Sequence, residues 1–318
     1  MSTRVVLLGG GGFIGKSLAR RLAGPGFEVT VPTRRPGARA ALALLPGVRL
    51  VACDVHDPRQ LARLFADADA VVNLVGILHD GDSVRPYGRR FAAAHVELPR
   101  KVVAAMRAAG VRRLLHVSAL KASDTAPSAY LRSKAAGEAV VLEAAGAIDA
   151  TIFRPSVVFG PEDAFLNRFA SLLRVFPVLP IAGAGTRFQP VYVGDVAEAC
   201  AAALDDRATY GTIYELGGPK VYTLRQLVEY VGSLIGRPRP VIDLPGPLAR
   251  LQACMLGLLP NPPMSPDNLR SLQVDNVTDG QHDFPGWRPQ PLEAVAPTYL
   301  SRIGAGSRYD ELRRRAAR

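Results

Sequence analysis

The sequence predicts an α/β fold in which a doubly wound parallel sheet is followed by a smaller, mixed C-terminal lobe. Short runs rich in Val, Ile and Leu alternate with amphipathic helical stretches through the first half of the 318 residues. The runs lack alternating polar residues, which is typical of parallel strands that helices cover on both faces. Regular alternation of strand and helix then implies right-handed crossovers and a doubly wound sheet.

The predicted elements of the first half alternate strictly between strand and helix. Strands are expected near residues 4–8, 27–31, 48–52, 69–74, 112–117 and 149–153, and helices near 13–23, 58–66, 91–109 and 128–144. In the second half prolines become frequent, and helices are expected near 223–235 and 246–258. Residues 1–155, with return segments near 188–216, are therefore expected to form the sheet domain. Residues 156–318 are expected to form a smaller lobe over its ligand cleft.

Composition and charge narrow the function classes. Hydrophobic residues make up 48% of the chain, and the net charge of +11 is spread out, without a lysine-rich tract interleaved with aromatics. We therefore expect no nucleic-acid binding, although a basic protein attracts ligands that carry phosphates. The first predicted strand begins at Arg4, so no secretory leader and a cytoplasmic location are expected.

The longest apolar stretch, residues 248–259, is shorter than the ~20 residues that a membrane span requires. A packed helix is the favoured interpretation of this stretch. A helix that lies on a membrane surface is the alternative, and it would make the protein peripheral at the inner membrane.

Cysteine and histidine spacings indicate neither disulfides nor a metal site. Cys53, Cys200 and Cys254 are far apart and form no CxxC pair, so we expect three small buried residues in a reducing compartment. The five histidines include no HxxxH pair, and we expect no bound metal.

The stretch GGGGFIGKS, residues 9–17, follows the first predicted strand and opens the first predicted helix. It fits two phosphate-binding patterns. Gly9, Gly12 and Gly15 match the glycine loop of a dinucleotide-binding fold, whereas Gly10–Ser17 matches the P-loop of a nucleoside triphosphatase. In both patterns glycine lets the backbone approach phosphate oxygens, and the start of the helix supplies N–H groups.

Residues inside the loop favour the dinucleotide. Phe13 and Ile14 are large and apolar, which suits a first helical turn that packs on the sheet and binds diphosphate through its backbone. A triphosphatase would instead direct Lys16 at the phosphates and would need an acidic residue at a strand end for Mg²⁺. Asp54 could serve nominally, so the triphosphatase stays open as a third hypothesis at this point.

Two arginines follow the second predicted strand, in VTVPTRRPGA. An NAD-specific protein normally has an acidic residue there, which binds the ribose hydroxyls. Arg34 and Arg35 occupy that place instead, and a guanidinium suits a 2′-phosphate because its planar fork donates two parallel hydrogen bonds. The sequence therefore predicts NADP(H) rather than NAD(H). The alternative is two solvated loop arginines.

Further cofactor contacts are expected where the next two strands end. Asp54 and its neighbour Val55 follow the third strand, and Asp54 can accept a hydrogen bond from the adenine amino group. Asn73–Gly76, the stretch NLVG, follows the fourth strand and offers backbone to the adenosine ribose.

The stretch SAYLRSKAAGE, residues 128–138, decides between redox and phosphoryl chemistry. Tyr130 and Lys134 are four residues apart on a predicted helix and so share one face. A neighbouring ammonium is expected to lower the pKa of the tyrosine from about 10. Tyr130 could then act as general acid or base where hydride is exchanged, with Lys134 also reaching the nicotinamide ribose. This pair favours a nicotinamide cofactor.

Together these residues resemble the short-chain dehydrogenase/reductase superfamily in its extended form. Its glycine loop and YxxxK pair are matched by the residues above, and Ser118 falls at the end of the fifth strand like the catalytic serine. The stretch RPSVVFGPED, which contains Pro155 and Val158, resembles the segment that passes the nicotinamide. The stretch FQPVYVGDVAEA, residues 188–199, resembles the return to the sheet.

The chain is similar above all to an atypical branch of this superfamily, which contains the NADPH-binding accessory subunit of respiratory complex I and its bacterial relatives. The stretches that carry this likeness include VPTRR, HVSALKASDTAPSAYLRSKAAGE and FRPSVVFGPEDAFLNRFASLL. The resemblance implies a Rossmann-type domain with bound NADPH and a small C-terminal lobe. It also implies a nucleotide holder in a quinone-reducing assembly rather than a defined turnover.

Two departures from the family pattern affect the expected site. Leu8 stands where a threonine is usual before the first glycine. Ser118 lies only twelve residues before Tyr130, which makes Ser123 and Thr125 the alternative hydroxyls for polarising a carbonyl.

Two leading hypotheses follow. In the first, the protein is an NADP(H)-dependent oxidoreductase or epimerase with a small-molecule substrate. Tyr130 is then its acid/base, Lys134 activates the tyrosine and holds ribose, and Ser118 orients the substrate. In the second, NADPH is a structural or sensing ligand of a non-catalytic protein at a quinone-linked respiratory complex.

Overall fold

A computed structural model of the chain describes residues 2–81, 85–257 and 264–301. Its strands are β1 (Thr3–Leu8), β2 (Phe27–Thr33), β3 (Val48–Ala52), β4 (Ala70–Asn73), β5 (Arg113–Val117), β6 (Asp149–Pro155), β7 (Val158–Phe159), β8 (Leu179–Ile181), β9 (Arg187–Phe188), β10 (Val191–Tyr192), β11 (Ile213–Leu216), β12 (Tyr222–Thr223) and β13 (Val241–Asp243). Its α-helices are α1 (Phe13–Leu22), α2 (Ala40–Ala43), α3 (Pro58–Phe65), α4 (Arg89–Phe91), α5 (Leu98–Ala109), α6 (Ala129–Leu142), α7 (Leu166–Val175), α8 (Val193–Asp205), α9 (Leu224–Leu234), α10 (Gly246–Gly257), α11 (Pro266–Ser271) and α12 (Leu292–Leu300). The chain divides into two compact units. One contains Met1–Pro155, Val193–Leu216 and Thr278–Trp287, and the other contains Ser156–Tyr192, Gly217–Val277 and Arg288–Arg318.

The first unit contains a seven-stranded parallel sheet in the order β11-β6-β5-β4-β1-β2-β3. The predicted fold class is confirmed, and each of the six strands predicted for the first half is present. The strand order reverses beside β1, which leads to β2 on one side and lies next to β4 on the other. In such sheets ligands bind at the carboxyl ends of the strands where the order reverses.

Burial explains why the strands are mostly apolar. β4 and β5 are buried along their whole length. Helices α3 and α5 contribute Leu61, Phe65 and Met106 to the core that covers these strands. Helix α1 packs beside α8, and Arg21 forms an ion pair with Glu198 across that contact.

The return segment is held by a buried arginine of β5. Arg113 is 6% exposed and donates to the Leu204 carbonyl oxygen at 3.2 Å and to Thr209 Oγ1 at 2.9 Å. These bonds tie the end of α8 to the sheet, so that the chain enters β11 parallel to β6.

The helix predicted at 91–109 is divided by a π-helical stretch, Ala92–Glu97, which lies between α4 and α5. Pro99, in the first turn of α5, has no N–H to donate to the carbonyl oxygen of His95 four residues earlier. Leu98 N–H bonds instead to the Ala93 carbonyl oxygen, five residues back. The freed His95 carbonyl faces α6, where a Cβ on Gly137 would lie only 2.1 Å from its oxygen. Only glycine fits there.

The second unit has its own core and three two-stranded pairs, β7 with β10, β9 with β12, and β8 with β13. Phe159, Leu173 and Leu227 are fully buried there among residues of α7, α9 and α12. Helix α9 fits the helix expected at 223–235 and begins with a capping box between Thr223 and Gln226.

Helix α10 fits the prediction at 246–258 as far as Gly257. Residues 258 and 259, which end the predicted helix and the longest apolar stretch, lie outside the described residues. Cys53 and Cys200 are buried as expected, but Cys254 on α10 is exposed. That expectation is wrong because α10 turns Ala249 and Ala253 to the core instead. In the part of the chain that the structure describes, no helix has both the length and the hydropathy to cross a bilayer.

Candidate functional site

The glycine loop occupies the four residues between β1 and α1. Gly9 has φ +80°, and a Cβ there would lie 3.0 Å from the Leu74 carbonyl carbon. A Cβ on Gly15 would lie 2.5 Å from both the Gly9 carbonyl oxygen and Gly10 Cα. Glycine is therefore required at both positions, since the first turn of the helix packs directly on the loop.

The start of α1 is left open to a ligand. Its N-cap, Gly12, makes no side-chain cap hydrogen bond, and the first turn contains no acidic residue. The N–H groups of the first turn, which include those of Phe13 and Ile14, lack intrahelical acceptors because of their position. This arrangement could hold a diphosphate at the positive end of the helix.

The P-loop alternative does not fit this geometry. The helix begins at Phe13, so Phe13 and Ile14, which would belong to the loop that wraps a β-phosphate, already lie in the first turn of α1. The match to GxxxxGKS is thus a coincidence of sequence, and the structure here is a short loop followed by a helix.

Arg34 and Arg35 are exposed directly after β2, and Arg35 N–H donates to Thr33 Oγ1 at 3.3 Å. A third arginine, which the sequence pattern did not indicate, lies against the glycine loop. Arg39 ends a 3₁₀ turn, and a Cβ built on Gly11 would lie 2.9 Å from Arg39 Nε. The signal in the sequence was a Pro-Gly turn that can return the chain towards the loop.

Asp54 and Val55 follow β3 and differ in their surroundings. Asp54 is exposed, and its Oδ1 accepts a hydrogen bond from His56 N–H at 3.1 Å. Val55 packs on the core. Asp54 could therefore present a carboxylate to an adenine, and Val55 could offer only apolar contact or backbone.

Asn73 is not available to a ligand through its side chain. It is 1% exposed, its Nδ2 lies 3.2 Å from His116 Nδ1, and its Oδ1 accepts from Val75 N–H at 3.2 Å. The backbone after it is better placed, since it passes Gly9 and reaches Gly76. A Cβ on Gly76 would lie 3.1 Å from Lys134 Nζ.

Lys134 is 5% exposed, and its Nζ donates to the Val117 carbonyl oxygen at 3.1 Å. Burial lowers the pKa of Lys134 to about 8, against the charge of Glu138, which raises it. Glu138 in turn holds Arg154 by two hydrogen bonds, of 2.8 and 2.5 Å. The ammonium therefore lies at the end of β5, beside the backbone that follows β4.

Tyr130 is half-buried, and its ring meets that of His95 edge-on, with 5.7 Å between centroids. Burial raises the pKa of Tyr130 to about 12. The expectation that Lys134 lowers this pKa is wrong for this structure, because the loss of solvent around the phenol determines the shift. Tyr130 consequently stays protonated at neutral pH.

His95 is a component of the site that the sequence analysis missed. Its Nε2 accepts from Ile77 N–H at 3.1 Å, so the proton of the neutral ring is on Nδ1, 2.8 Å from Ser133 Oγ. Ser133 Oγ donates to the Tyr130 carbonyl oxygen at 2.7 Å. Burial, and then the charge of Lys134, lower the pKa of His95 to about 2.

His95 connects the backbone after β4 with the helix that carries Tyr130 and Lys134. His95 belongs to no spacing pattern in the sequence. Its position four residues before Pro99 was the one signal that it is unusual.

Ser118 directly follows β5 and is 4% exposed. Its N–H donates to the Phe153 carbonyl oxygen at 2.7 Å, but its buried Oγ has no hydrogen-bond partner among residues 2–81, 85–257 and 264–301. Ser123 and Thr125 bond to each other at 3.0 Å in a more exposed loop. A buried hydroxyl without a partner is costly unless a ligand binds it, so Ser118 fits the polarising role better than the alternatives.

The segment expected beside the nicotinamide is divided between the two units. The Pro155 carbonyl oxygen accepts from Leu120 N–H at 3.0 Å, which ties the loop after Ser118 to the end of β6. Val158 belongs to the second unit and pairs in β7 with Val191.

Comparison with known proteins agrees with this geometry. Residues 5–217 match the model of the NAD dependent epimerase/dehydratase family. The chain belongs to this family. The resemblance found in the sequence is thereby confirmed, and membership of the epimerase/dehydratase family supports a nicotinamide dinucleotide as the ligand of the glycine loop. The triphosphatase hypothesis is wrong.

The relatives include respiratory subunits and reductases. The mitochondrial NADH dehydrogenase [ubiquinone] 1 alpha subcomplex subunit 9 of Arabidopsis thaliana is 35% identical over 282 residues, which cover 86% of this chain and 69% of that protein. Ceramide reductase of Caulobacter vibrioides is 31% identical over 250 residues, or 76% of this chain and 74% of the relative. Among solved structures, the dTDP-glucose 4,6-dehydratase DesIV of Streptomyces venezuelae superposes with a TM-score of 0.73 at 22% identity, covering 96% of this chain and 98% of that one.

Proposed function

We propose that this protein is an NADP(H)-dependent oxidoreductase that reduces a carbonyl group at the Tyr130–Lys134 site. The observation that carries the proposal is the buried Oγ of Ser118, which has no hydrogen-bond partner in the described part of the chain. It follows the end of β5, beside the Val117 carbonyl that holds Lys134. A purely structural site would have no need of an unsatisfied hydroxyl there. The glycine loop and the start of α1 would hold the diphosphate, and the bound dinucleotide would supply the hydride.

The protonation states at neutral pH are those with which a carbonyl reduction begins. Because the pKa of Tyr130 is about 12, its hydroxyl carries a proton at neutral pH and can donate it to the carbonyl oxygen as hydride reaches the carbon. Ser118 Oγ can donate a hydrogen bond to the same oxygen. Lys134, with a pKa of about 8, is charged at neutral pH and stabilises the negative charge that develops on the phenol.

The preference for NADP(H) rests on the arginines after β2. Arg34 and Arg35 replace the acidic residue of an NAD-specific site, and Arg39 adds a third guanidinium over Gly11. Three exposed cations could bind a 2′-phosphate or the diphosphate, and no acidic residue occurs from residue 29 to residue 53.

The second candidate is a non-catalytic NADPH-binding protein at a respiratory complex. It is favoured by the 35% identity to subunit 9 of the 1 alpha subcomplex of a mitochondrial NADH dehydrogenase [ubiquinone]. Both candidate functions predict a cytoplasmic protein that is peripheral to a membrane.

Substitution of Tyr130 separates the two candidates. Tyr130→Phe should bind NADPH with unchanged affinity, since the cofactor is held elsewhere. It should also lose NADPH oxidation with a panel of aliphatic and lipid ketones by about 100-fold or more. If the wild type oxidises NADPH with none of these ketones while binding it tightly, the reductase proposal fails and the holder remains.

Cofactor choice is tested by the arginine pair. Arg34→Ala/Arg35→Ala should lower the affinity for NADPH about 10- to 100-fold, because charge-assisted hydrogen bonds are lost, and should leave the affinity for NADH unchanged. Arg39→Ala is assayed separately, and Arg59→Ala on α3 controls for the loss of positive charge. Unchanged NADPH affinity in the double variant would refute the 2′-phosphate assignment.

A further inference from the structure

The second unit carries an exposed apolar face on α10. Leu248, Leu251 and Met255 are 53%, 58% and 64% exposed, and their spacing of three and four residues places them on one side of the helix. Ala249 and Ala253 are buried on the opposite side. The small side chains of α10 thus face the core and the large ones face outwards, which reverses the usual arrangement of an amphipathic helix.

This face continues onto neighbouring segments of the same unit. The segment RVFPV, residues 174–178, is exposed throughout and leads into β8. In β8, Pro180 is exposed and lies in register with exposed Ile242 of β13. Gln252 Nε2 of α10 donates to the Pro180 carbonyl oxygen at 3.2 Å, so the three segments adjoin. We call residues 174–178, Ile242 and the outer side of α10 the apolar surface.

The chain segments that form the apolar surface are basic. Residues 174–181 and 236–257 contain four arginines, Arg174, Arg237, Arg239 and Arg250, and one acidic residue, Asp243. Asp243 is engaged within the unit, where its Oδ1 accepts from Ala184 N–H at 3.2 Å. A second copy of this chain would bring two basic surfaces together, which is electrostatically unfavourable. An anionic lipid surface is complementary to both the charge and the apolar side chains.

We propose that the apolar surface binds an anionic lipid bilayer. Leu248, Leu251 and Met255 enter the boundary between headgroups and acyl chains, while Arg174 and Arg250 contact lipid phosphates. The proposal concerns the second unit alone and does not depend on redox chemistry at Tyr130.

A single exposed thiol makes the test direct. Of the three cysteines, Cys53 and Cys200 are buried, and Cys254 is exposed beside Leu251 on α10. An environment-sensitive fluorophore attached to Cys254 should brighten and shift to the blue when the full-length protein meets phosphatidylcholine vesicles containing about 30 mol % phosphatidylglycerol. Pure phosphatidylcholine vesicles should give a much smaller response, and Cys254→Ser should remain unlabelled.

Substitutions then assign the binding to the apolar surface, by vesicle co-sedimentation of the unlabelled protein. Leu251→Glu/Met255→Glu should weaken binding more than about tenfold, because apolar area is lost and like charge is added. Arg174→Gln/Arg250→Gln should weaken it by a factor of about five for each arginine, and it leaves the apolar side chains intact if the first variant fails to fold. Leu44→Glu, at an 85% exposed leucine of the first unit, is the matched control and should bind like the wild type.

Three results would overturn the proposal. The first is no response of the labelled protein to anionic vesicles. The second is equal vesicle binding by the wild type and the arginine variant. The third is a concentration-dependent dimer in the absence of lipid that Leu251→Glu/Met255→Glu abolishes, since the surface would then join two copies of the chain.

Discussion

Replacing His95 by glutamine should make the protein less sensitive to acid. His95 is 2% exposed and neutral, with its pKa lowered to about 2 in the folded state from an ordinary value of 6.5. Below pH 6.5 the His95 imidazole is therefore protonated in the unfolded chain but remains neutral in the folded protein. Stability due to this group is present above pH 6.5 and is lost as the pH falls towards 2.

The magnitude follows from the two pKa values. Between pH 7 and pH 5, protonation of one histidine in the unfolded state alone lowers the free energy of unfolding by about 2 kcal/mol. His116, whose pKa burial lowers to about 3, adds a similar loss in wild type and variant alike. The loss between these pH values should therefore be about 2 kcal/mol smaller in His95→Gln than in the wild type.

Equilibrium urea unfolding at both pH values, followed by far-UV circular dichroism, measures this difference. Ser133→Ala is the matched control, because it removes the hydrogen-bond partner of His95 Nδ1 without removing a titrating group. It should lower stability equally at both pH values. An identical acid-induced loss in wild type and His95→Gln would show that the folded protein accommodates a charged His95, and would refute the reasoning.

Two further substitutions probe the loop and the lysine. Gly15→Ala should abolish NADPH binding and lower the unfolding temperature, because its Cβ would lie 2.5 Å from backbone atoms; a dinucleotide titration and a melting curve measure the two effects. Gly37→Ala should do neither, since its Cβ would meet no atom of the described residues within 4 Å. Glu138→Gln should lower the pKa of Lys134 below about 8 by removing the charge that raises it, which moves the alkaline limb of the pH profile of NADPH oxidation to lower pH. It should also cost about 3 kcal/mol of stability by leaving Arg154 without its buried partner, and an unmoved alkaline limb would exclude Lys134 as the titrating group.

The sheet could be predicted from sequence because its strands are buried on both faces. Runs such as the one that ends at Leu8 are short and apolar without polar alternation, which is typical of strands covered on both faces. The helix at 91–109 was predicted as one piece because its apolar periodicity continues across the π-helical stretch. Pro99 was the local signal for the interruption, since its missing N–H removes one bond of the α-helical ladder.

Site residues could be predicted from the sequence where their function requires a fixed spacing. Properties that depend on burial could not. Tyr130 and Lys134 could be predicted as site residues because they are four residues apart on one helix. The pKa of Tyr130 could not be read in this way, because it depends on the solvent that the folded chain excludes. Arg39 lies at the site because of a 3₁₀ turn, and His95 because of the π-helical stretch. The sequence does not reveal where either of these elements leads in the fold.

The contact of Gly137 with the carbonyl oxygen of His95 restricts how this site can diversify. Because hydrogen is the largest substituent that the contact admits, any larger residue at position 137 would push α6, with Tyr130 and Lys134, away from the segment that carries His95. Variation in specificity must then come from the side chains and loops around a fixed frame. A library built to alter the reaction should keep residues 95 and 137 constant and randomise elsewhere.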